Sequence, residues 1–246
     1  MSFRERLQRG ERLAGVFLQA PSPVTAEVVS SFELDFVCVE AEHSPLGRES
    51  IHALLGAARR PALVRVADNA TVPIVSALDD GAVGVIVPRV DSAEEARGAV
   101  DAARFPPLGR RGVGPGRASG YGRTLPDYFA RANEAVVVGV QIESAAAVAD
   151  VARIAAVDGL DLLFVGPGDL AVSLGVPFGD ERVVEAALSV LEAARAAGRA
   201  TGIWAPAAPG ARRWFELGFQ LVIVGSDLSL LAEGVERLLA DLDSPP

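Results

Sequence analysis

The chain contains no lysine: all 23 of its basic residues are arginine. Schiff-base chemistry, direct or through pyridoxal phosphate, needs a lysine amine, so both are excluded. A phosphate-binding loop with its lysine is excluded too, and no Gly-x-Gly-x-x-Gly follows a strand and opens a helix. Cysteine occurs once, as Cys38, which rules out a disulfide within one chain. Its place in an apolar strand pattern marks it as a small buried hydrophobe. Positive charge is in deficit, with a net charge of −9 at pH 7. That balance argues against nucleic acid as a partner, and an anionic substrate would need locally placed cations. No run approaches the ~18 uninterrupted apolar residues of a membrane helix. Arg4, Arg6 and Arg9 near the start have no apolar segment behind them, as a secretory signal would. The expectation is a cytoplasmic protein that does not enter a membrane.

Apolar residues, by contrast, make up half of the 246 positions, enough to bury the core of a single α/β domain spanning residues 1–246. Strand-like runs fall at 13–18, 36–39, 62–66, 84–87, 136–142, 161–165, 200–204 and 221–224. Helix-like patterns rich in Ala, Leu, Glu and Arg alternate with them at 25–32, 48–59, 72–79, 93–103, 145–154, 181–197, 211–217 and 228–242. Eight strand-helix repeats predict a (β/α)₈ TIM barrel, with an open doubly wound sheet as the alternative. Two connections, 105–133 and 171–180, read as long loops with a functional or subunit-packing role.

A barrel keeps its chemistry at the carboxyl ends of its strands. Glu143 follows the fifth run and Asp169 the sixth, 26 positions later. Two carboxylates at the same end of successive strands suit a hard divalent cation, although each also precedes a helix that it could cap. Backbone amides from Gly166 to Asp169 stand ready for an anion. His43, in a polar turn after the second strand, is a candidate general base. His52, within a helix, reads as a packing or surface residue. Arg65 ends a strand whose neighbours are buried, so its guanidinium must meet a ligand or a carboxylate, Glu40 being the nearest candidate. Asp79 and Asp80 read as a helix C-terminal turn and Ser226-Asp227 as an N-cap, where phosphate could also bind. Arg104, Arg110, Arg111, Arg117 and Arg123 read as solvated or interface charges.

Assembled in order, Val39-Glu40-Ala41-Glu42-His43-Ser44-Pro45, Leu63-Val64-Arg65, Arg104-Phe105-Pro106-Pro107-Leu108-Gly109-Arg110-Arg111-Gly112, Val140-Gln141-Ile142-Glu143 and Phe164-Val165-Gly166-Pro167-Gly168-Asp169-Leu170 resemble the HpcH/HpaI family of metal-dependent (class II) pyruvate aldolases. The likeness covers nearly the whole chain. It implies a metal (Mg²⁺, Mn²⁺ or Co²⁺) on Glu143 and Asp169, and Arg65 and Gln141 on the keto and carboxylate oxygens of a keto acid. The backbone around Gly166, Pro167 and Gly168 would bind its carboxylate. It further implies His43 as base, paired with Asp79 from a neighbouring subunit of a trimer or hexamer that exchanges its C-terminal helix. The products would be pyruvate and an aldehyde; the alternatives are a related carbon–carbon lyase using the same enolate site, such as an acyl-CoA lyase or oxaloacetate decarboxylase, and a non-catalytic barrel. Three positions depart from the family pattern: Glu40 where aspartate is usual, near the metal or its water; Arg89 where an apolar residue is common; and Trp204 where smaller residues are common. Arg89 and Trp204 therefore bear on the aldehyde, with Arg89 able to recruit an acidic one.

Overall fold

A computed structural model describes residues 1–243, and the last three residues of the 1–246 span lie outside the described residues. The chain opens with α1 (Phe3–Gln8), then alternates β1 (Leu13–Leu18), α2 (Pro23–Ser30), β2 (Phe36–Glu40), α3 (Arg48–Ala57), β3 (Ala62–Arg65), α4 (Thr71–Asp79), β4 (Gly84–Val87) and α5 (Ala93–Ala103). A 3-10 turn (Arg117–Ser119) and α6 (Leu125–Ala135) lead to β5 (Val137–Ile142), α7 (Ala145–Ala149) and α8 (Val151–Ala155). The remainder is β6 (Leu162–Val165), α9 (Pro167–Leu174), α10 (Glu181–Ala196), β7 (Ala200–Ala205), α11 (Ala208–Leu217), β8 (Leu221–Ser226) and α12 (Asp227–Asp243). Each strand pairs in parallel with the next, and β8 returns to β1 through Leu13 opposite Leu221 and Ala14 opposite Val222. The sheet is a closed barrel, so the open-sheet alternative falls.

Two apolar layers follow from the period-two alternation of a strand. Phe17, Phe36, Cys38, Leu63, Ile86, Val137, Leu162, Phe164, Leu221 and Ile223 fill the barrel interior, with Phe3 and Leu7 of α1 packed into the same cluster. Val37, Val39, Val64, Val85, Val138, Val140, Leu163, Val165 and Val222 face the surrounding helices. Cys38 is fully buried, and burial pushes its thiol far above the ordinary range. Among the described residues no helix is long and apolar enough to cross a membrane.

Three helices were not expected. α1 is short, and only its tertiary packing and the capping box between Ser2 and Glu5 hold it. α6 begins inside the connection read as loop 105–133 and runs on to Ala135; the Pro and Gly residues before it mask a segment whose Pro126 stands in the first turn. α9 takes in Ala171–Leu174, the start of the second expected loop, and stops at Gly175 in the left-handed region, φ 65°. The pattern at 145–154 is also two helices, broken at Asp150.

Arg104 and Arg111 are not solvated. Arg104 is 1% exposed. It donates from Nη1 to the carbonyls of Asn133 (2.7 Å) and Val136 (2.8 Å), and from Nη2 to Gly159 O (3.0 Å) and Asp161 Oδ2 (2.5 Å). Burial works against its cationic form and the Asp161 carboxylate supports it. These bonds tie the end of α5 to the segments entering β5 and β6. Asp161 also pairs with Arg4 (2.7 Å), so loss of Arg104 leaves its charge partly compensated. The buried carbonyls of Asn133, Val136 and Gly159 lose their donor as well, and together these losses cost about 3–5 kcal/mol. Arg104→Ala is therefore expected to destabilise the fold by about that amount in urea unfolding, and a loss below about 1 kcal/mol, typical of a surface pair, would contradict this account.

Candidate active site

The same alternation that fills the interior with Cys38 and Leu63 places Glu40 and Arg65 two residues further on, on the inward side at the carboxyl ends of β2 and β3. The two are direct partners in the ladder. Glu40, wholly buried, receives Arg65 Nε at 2.6 Å on Oε2, with Arg65 Nη2 at 2.5 Å from the same oxygen. Its other oxygen accepts the backbone N–H groups of Glu42 (2.8 Å) and His43 (3.0 Å). Arg65 Nη1 donates to Gln141 Oε1 at 3.2 Å, and its guanidinium carbon lies 4.8 Å from the centre of the Phe17 ring. The internal salt bridge foreseen for Arg65 is present, and it leaves a guanidinium edge on the cavity.

Gln141 Nε2 donates to Glu143 Oε2, and Glu143 Oε1 accepts the backbone N–H of Arg89 at 2.7 Å. Glu143 does not cap a helix: Ser144 caps α7 through Ala147 N–H. Arg89 holds the left-handed conformation, φ 57°, uncommon for a residue with a side chain, which aims its amide at Glu143. Its guanidinium is two-thirds exposed and pairs with Glu42 Oε1 at 3.2 Å, outside the cavity. Gly166 is needed for space. A Cβ there would sit 3.1 Å from Gln141 Nε2 and from Glu143 Oε2. Asp169 stands in the first turn of α9, exposed, with no hydrogen bond or ion pair among the described residues.

A cavity of about 460 Å³ opens at these strand ends. His43, Arg65, Gly166, Pro167, Gly168, Asp169 and Trp204 all line it. Gln141 and Glu143 lie just beneath, against Gly166. Asp79 is not brought to this cavity. Its carboxylate accepts from Arg111 Nη2 at 2.7 Å, and Arg111, its side chain fully buried, also stacks on Phe105 and Tyr128. His52 is structural, between Asp80 (2.8 Å) and Arg117 (2.6 Å). The N-cap read at Ser226-Asp227 is present, with Ser226 Oγ accepting the Ser229 N–H (3.1 Å) and Asp227 Oδ1 the Leu228 N–H (2.9 Å), and Asp227 does more. Its carboxylate accepts the amides of Gln19 (2.9 Å) and Ala20 (3.1 Å), and so ties the end of β1 to the start of α12.

The cavity also holds Ser226, read from the sequence as an N-cap or phosphate contact, and Phe17, Gln19, Phe164, Ser229 and Glu233, which the sequence did not single out. Strand parity could have found Phe17 and Phe164, since they precede strand ends on the inward side. Glu42 was missed as well. Its Oε2 is buried without a hydrogen bond, 3.6 Å from Arg65 Nε and 3.8 Å from His43 Nε2. Burial raises its carboxyl pKa above the ordinary value, Arg65 opposes that shift, and Glu143 adds to it.

A closed parallel barrel with an arginine, a histidine and carboxylates gathered at the carboxyl ends of its strands defines an enzyme active at that face. Residues 13–234 match the family described as HpcH/HpaI aldolase/citrate lyase. The chain is 39% identical over 246 residues to the 4-hydroxy-2-oxo-heptane-1,7-dioate aldolase of Salmonella paratyphi C (strain RKS4594), covering 97% of this chain and 93% of that protein. It is 40% identical over 245 residues to the 4-hydroxy-2-oxovalerate aldolase of Rhodococcus jostii (strain RHA1), covering 97% and 95%. A crystal structure of an HpcH/HpaI aldolase/citrate lyase family protein from Burkholderia cenocepacia J2315 superposes with a TM-score of 0.93 at 36% identity, covering 98% of each chain. The chain belongs to the HpcH/HpaI aldolase/citrate lyase family. It is a carbon–carbon lyase, a pyruvate aldolase of the class II type.

The raised Glu42 pKa fixes a sign. The folded state holds this proton more tightly than the unfolded chain, so the stability Glu42 costs is absent below the ordinary carboxylate pKa of about 4.3 and grows as pH rises through the folded value. Glu42→Gln removes that cost. In metal-free protein the difference in melting temperature between Glu42→Gln and the parent should rise in the variant's favour from about pH 4 to neutrality. A difference independent of pH would refute the assignment.

Proposed function

We propose that the enzyme reversibly cleaves 4-hydroxy-2-keto acids of the 2-keto-3-deoxy type to pyruvate and an aldehyde, in a cytoplasmic setting. What carries this reading is Arg65, held in one orientation by Glu40 and Gln141 and exposed to the cavity that His43 and the Gly166–Asp169 segment also line. His43 takes the proton from the hydroxyl on C4. The C3–C4 bond then breaks, its electrons forming the enolate of pyruvate and the C4–O bond becoming the carbonyl of the aldehyde. The Arg65 guanidinium stands where negative charge grows on the enolate oxygen. Gln141 and the N–H groups of Gly168 and Asp169 in the first turn of α9, free among the described residues, hold the keto acid's oxygens. Gly166, whose N–H is bonded to Ile142 O (3.1 Å), and Pro167, which has none, line the cavity.

Glu143 and Asp169 are an all-oxygen pair that fits Mg²⁺, Mn²⁺ or Co²⁺. Asp169 has no other partner among the described residues, and Glu143 lies against a glycine that keeps space open above it. No group of three His, Cys, Asp or Glu side chains gathers for a metal among the described residues, so water and substrate would complete the shell. A cation there withdraws electron density from the keto group and favours the enolate.

Proton NMR of pyruvate in D₂O tests this without knowledge of the aldehyde. Loss of the methyl signal should require an added divalent cation and fall by at least about 100-fold in Glu143→Ala and Asp169→Ala, the scale of losing a catalytic electrostatic contact. Folded protein that exchanges nothing with any metal would overturn the reading.

Asp79 serves His43 across a subunit boundary, in a homo-oligomer built by exchange of α12. Two features support this. Asp79 is absent from its own chain's cavity, and Leu230, Leu231, Val235, Leu238, Leu239 and Leu242 of α12 are exposed in the single chain. His43→Ala and Asp79→Ala, each inactive alone, should regain activity when unfolded and refolded together, because mixed interfaces then contain one intact pair. No recovery in co-assembled oligomers would remove Asp79 from the site.

A further inference from the structure

The cavity has two sides. Arg65, Gly166 and the first turn of α9 form the side assigned above to pyruvate, from β3 and β6. Across from it, β7, β8 and α12 contribute Trp204, Pro206, Ser226, Ser229 and Glu233. This chain contributes no cation to the second side. Ser229 and Glu233 lie four residues apart, on one face of α12. The serine groups are turned inward on each other: Ser226 N–H donates to Ser229 Oγ (2.9 Å), Ser229 N–H to Ser226 Oγ (3.1 Å), and Ser229 Oγ to Ser226 O (3.0 Å). The Glu233 carboxylate, by contrast, has no hydrogen bond or ion pair among the described residues. Arg89, the one cation that the sequence offered for an acidic aldehyde, pairs with Glu42 and stays outside the cavity.

We propose that Glu233 and Trp204 select an uncharged aldehyde, Glu233 by repelling a distal carboxylate and Trp204 by giving an apolar wall to an alkyl chain. This rests on the aldolase reading and names the acceptor class of that same site. A carboxylate entering beside Glu233 meets a like charge and finds no guanidinium of the same chain to offset it. In so exposed a position the repulsion is worth about 1 kcal/mol, or several-fold in kcat/KM. The selection is therefore graded rather than absolute, and it weakens with added salt.

The test is condensation of pyruvate with butanal and with 4-oxobutanoate, two four-carbon aldehydes that differ in a distal carboxylate. Methyl exchange of pyruvate in D₂O is followed on the same protein. The parent enzyme should favour butanal in kcat/KM. Glu233→Gln should shrink that preference about threefold or more, and Glu233→Arg should shrink it further or reverse it, each less so in high salt. Exchange with equal use of both aldehydes, or a preference that neither substitution moves, overturns the proposal and leaves the aldolase reading intact. Absence of exchange overturns both.

Discussion

The site depends on one ion pair at the ends of two neighbouring strands. Glu40 and Arg65 sit opposite each other in the β2–β3 ladder and, with Gln141 and Glu143, point inward above an apolar barrel interior. Taking two charges out of water costs several kcal/mol for each ion, and attraction alone does not secure a net gain. Here every strong group is used. Glu40 accepts from Arg65 with one oxygen and from the amides of Glu42 and His43 with the other, while Arg65 also reaches Gln141. One carboxylate thus sets both the orientation of the guanidinium and the path of the turn that carries His43. Glu40, read from the family pattern as a residue near the metal, is for this chain first a positioning residue. Its extra methylene relative to aspartate shifts the reach of that whole linkage.

The barrel was legible because a parallel strand buried on both faces reads as a short apolar run, and eight such runs alternate with amphipathic helices. Much of the site was legible for a related reason. Counting in twos from Cys38, Leu63, Val137 and Leu162 leads to Glu40, Arg65, Gln141 with Glu143, and Gly166, all on the inward side. Residues whose role depends on packing from distant segments were not legible. Arg104 and Arg111 look like surface charges beside Pro-Pro and Gly-rich sequence, yet they are among the most buried cations. Their partners, Asp161 and Asp79, lie 57 and 32 positions away. α9 was missed although its ends carry the usual marks, Pro167 inside the start and Gly175 past the end. The two glycines flanking Pro167 break the local helix pattern, so the helix that begins there is not marked by its composition.

The surface of α12 makes a different demand. Asp227 is the buried residue of that helix, and leucines and a valine lie exposed along its length. A helix bearing that much apolar surface gains little from standing in water; burying each large side chain is worth about 1.5–3 kcal/mol. A second copy of the chain is the economical cover, because the trans role proposed for Asp79 needs one as well. Assembly and catalysis are then one requirement: a lone subunit would have His43 without its carboxylate.

The absence of lysine takes on a physical meaning at Arg65. Beside a keto group, a neutral amine attacks the carbonyl and forms an imine, and burial lowers a lysine pKa toward that state. A guanidinium stays charged and is not a nucleophile at neutral pH. Its planar fork also bonds Glu40 and Gln141 in fixed directions while one edge faces the cavity, which three rotatable ammonium protons would not do as firmly. With arginine there, the cavity proposed for the keto acid carries a permanent charge. Stabilising the enolate is then left to electrostatics, which is why the carboxylates at Glu143 and Asp169 and the cation they would hold matter so much to this chain.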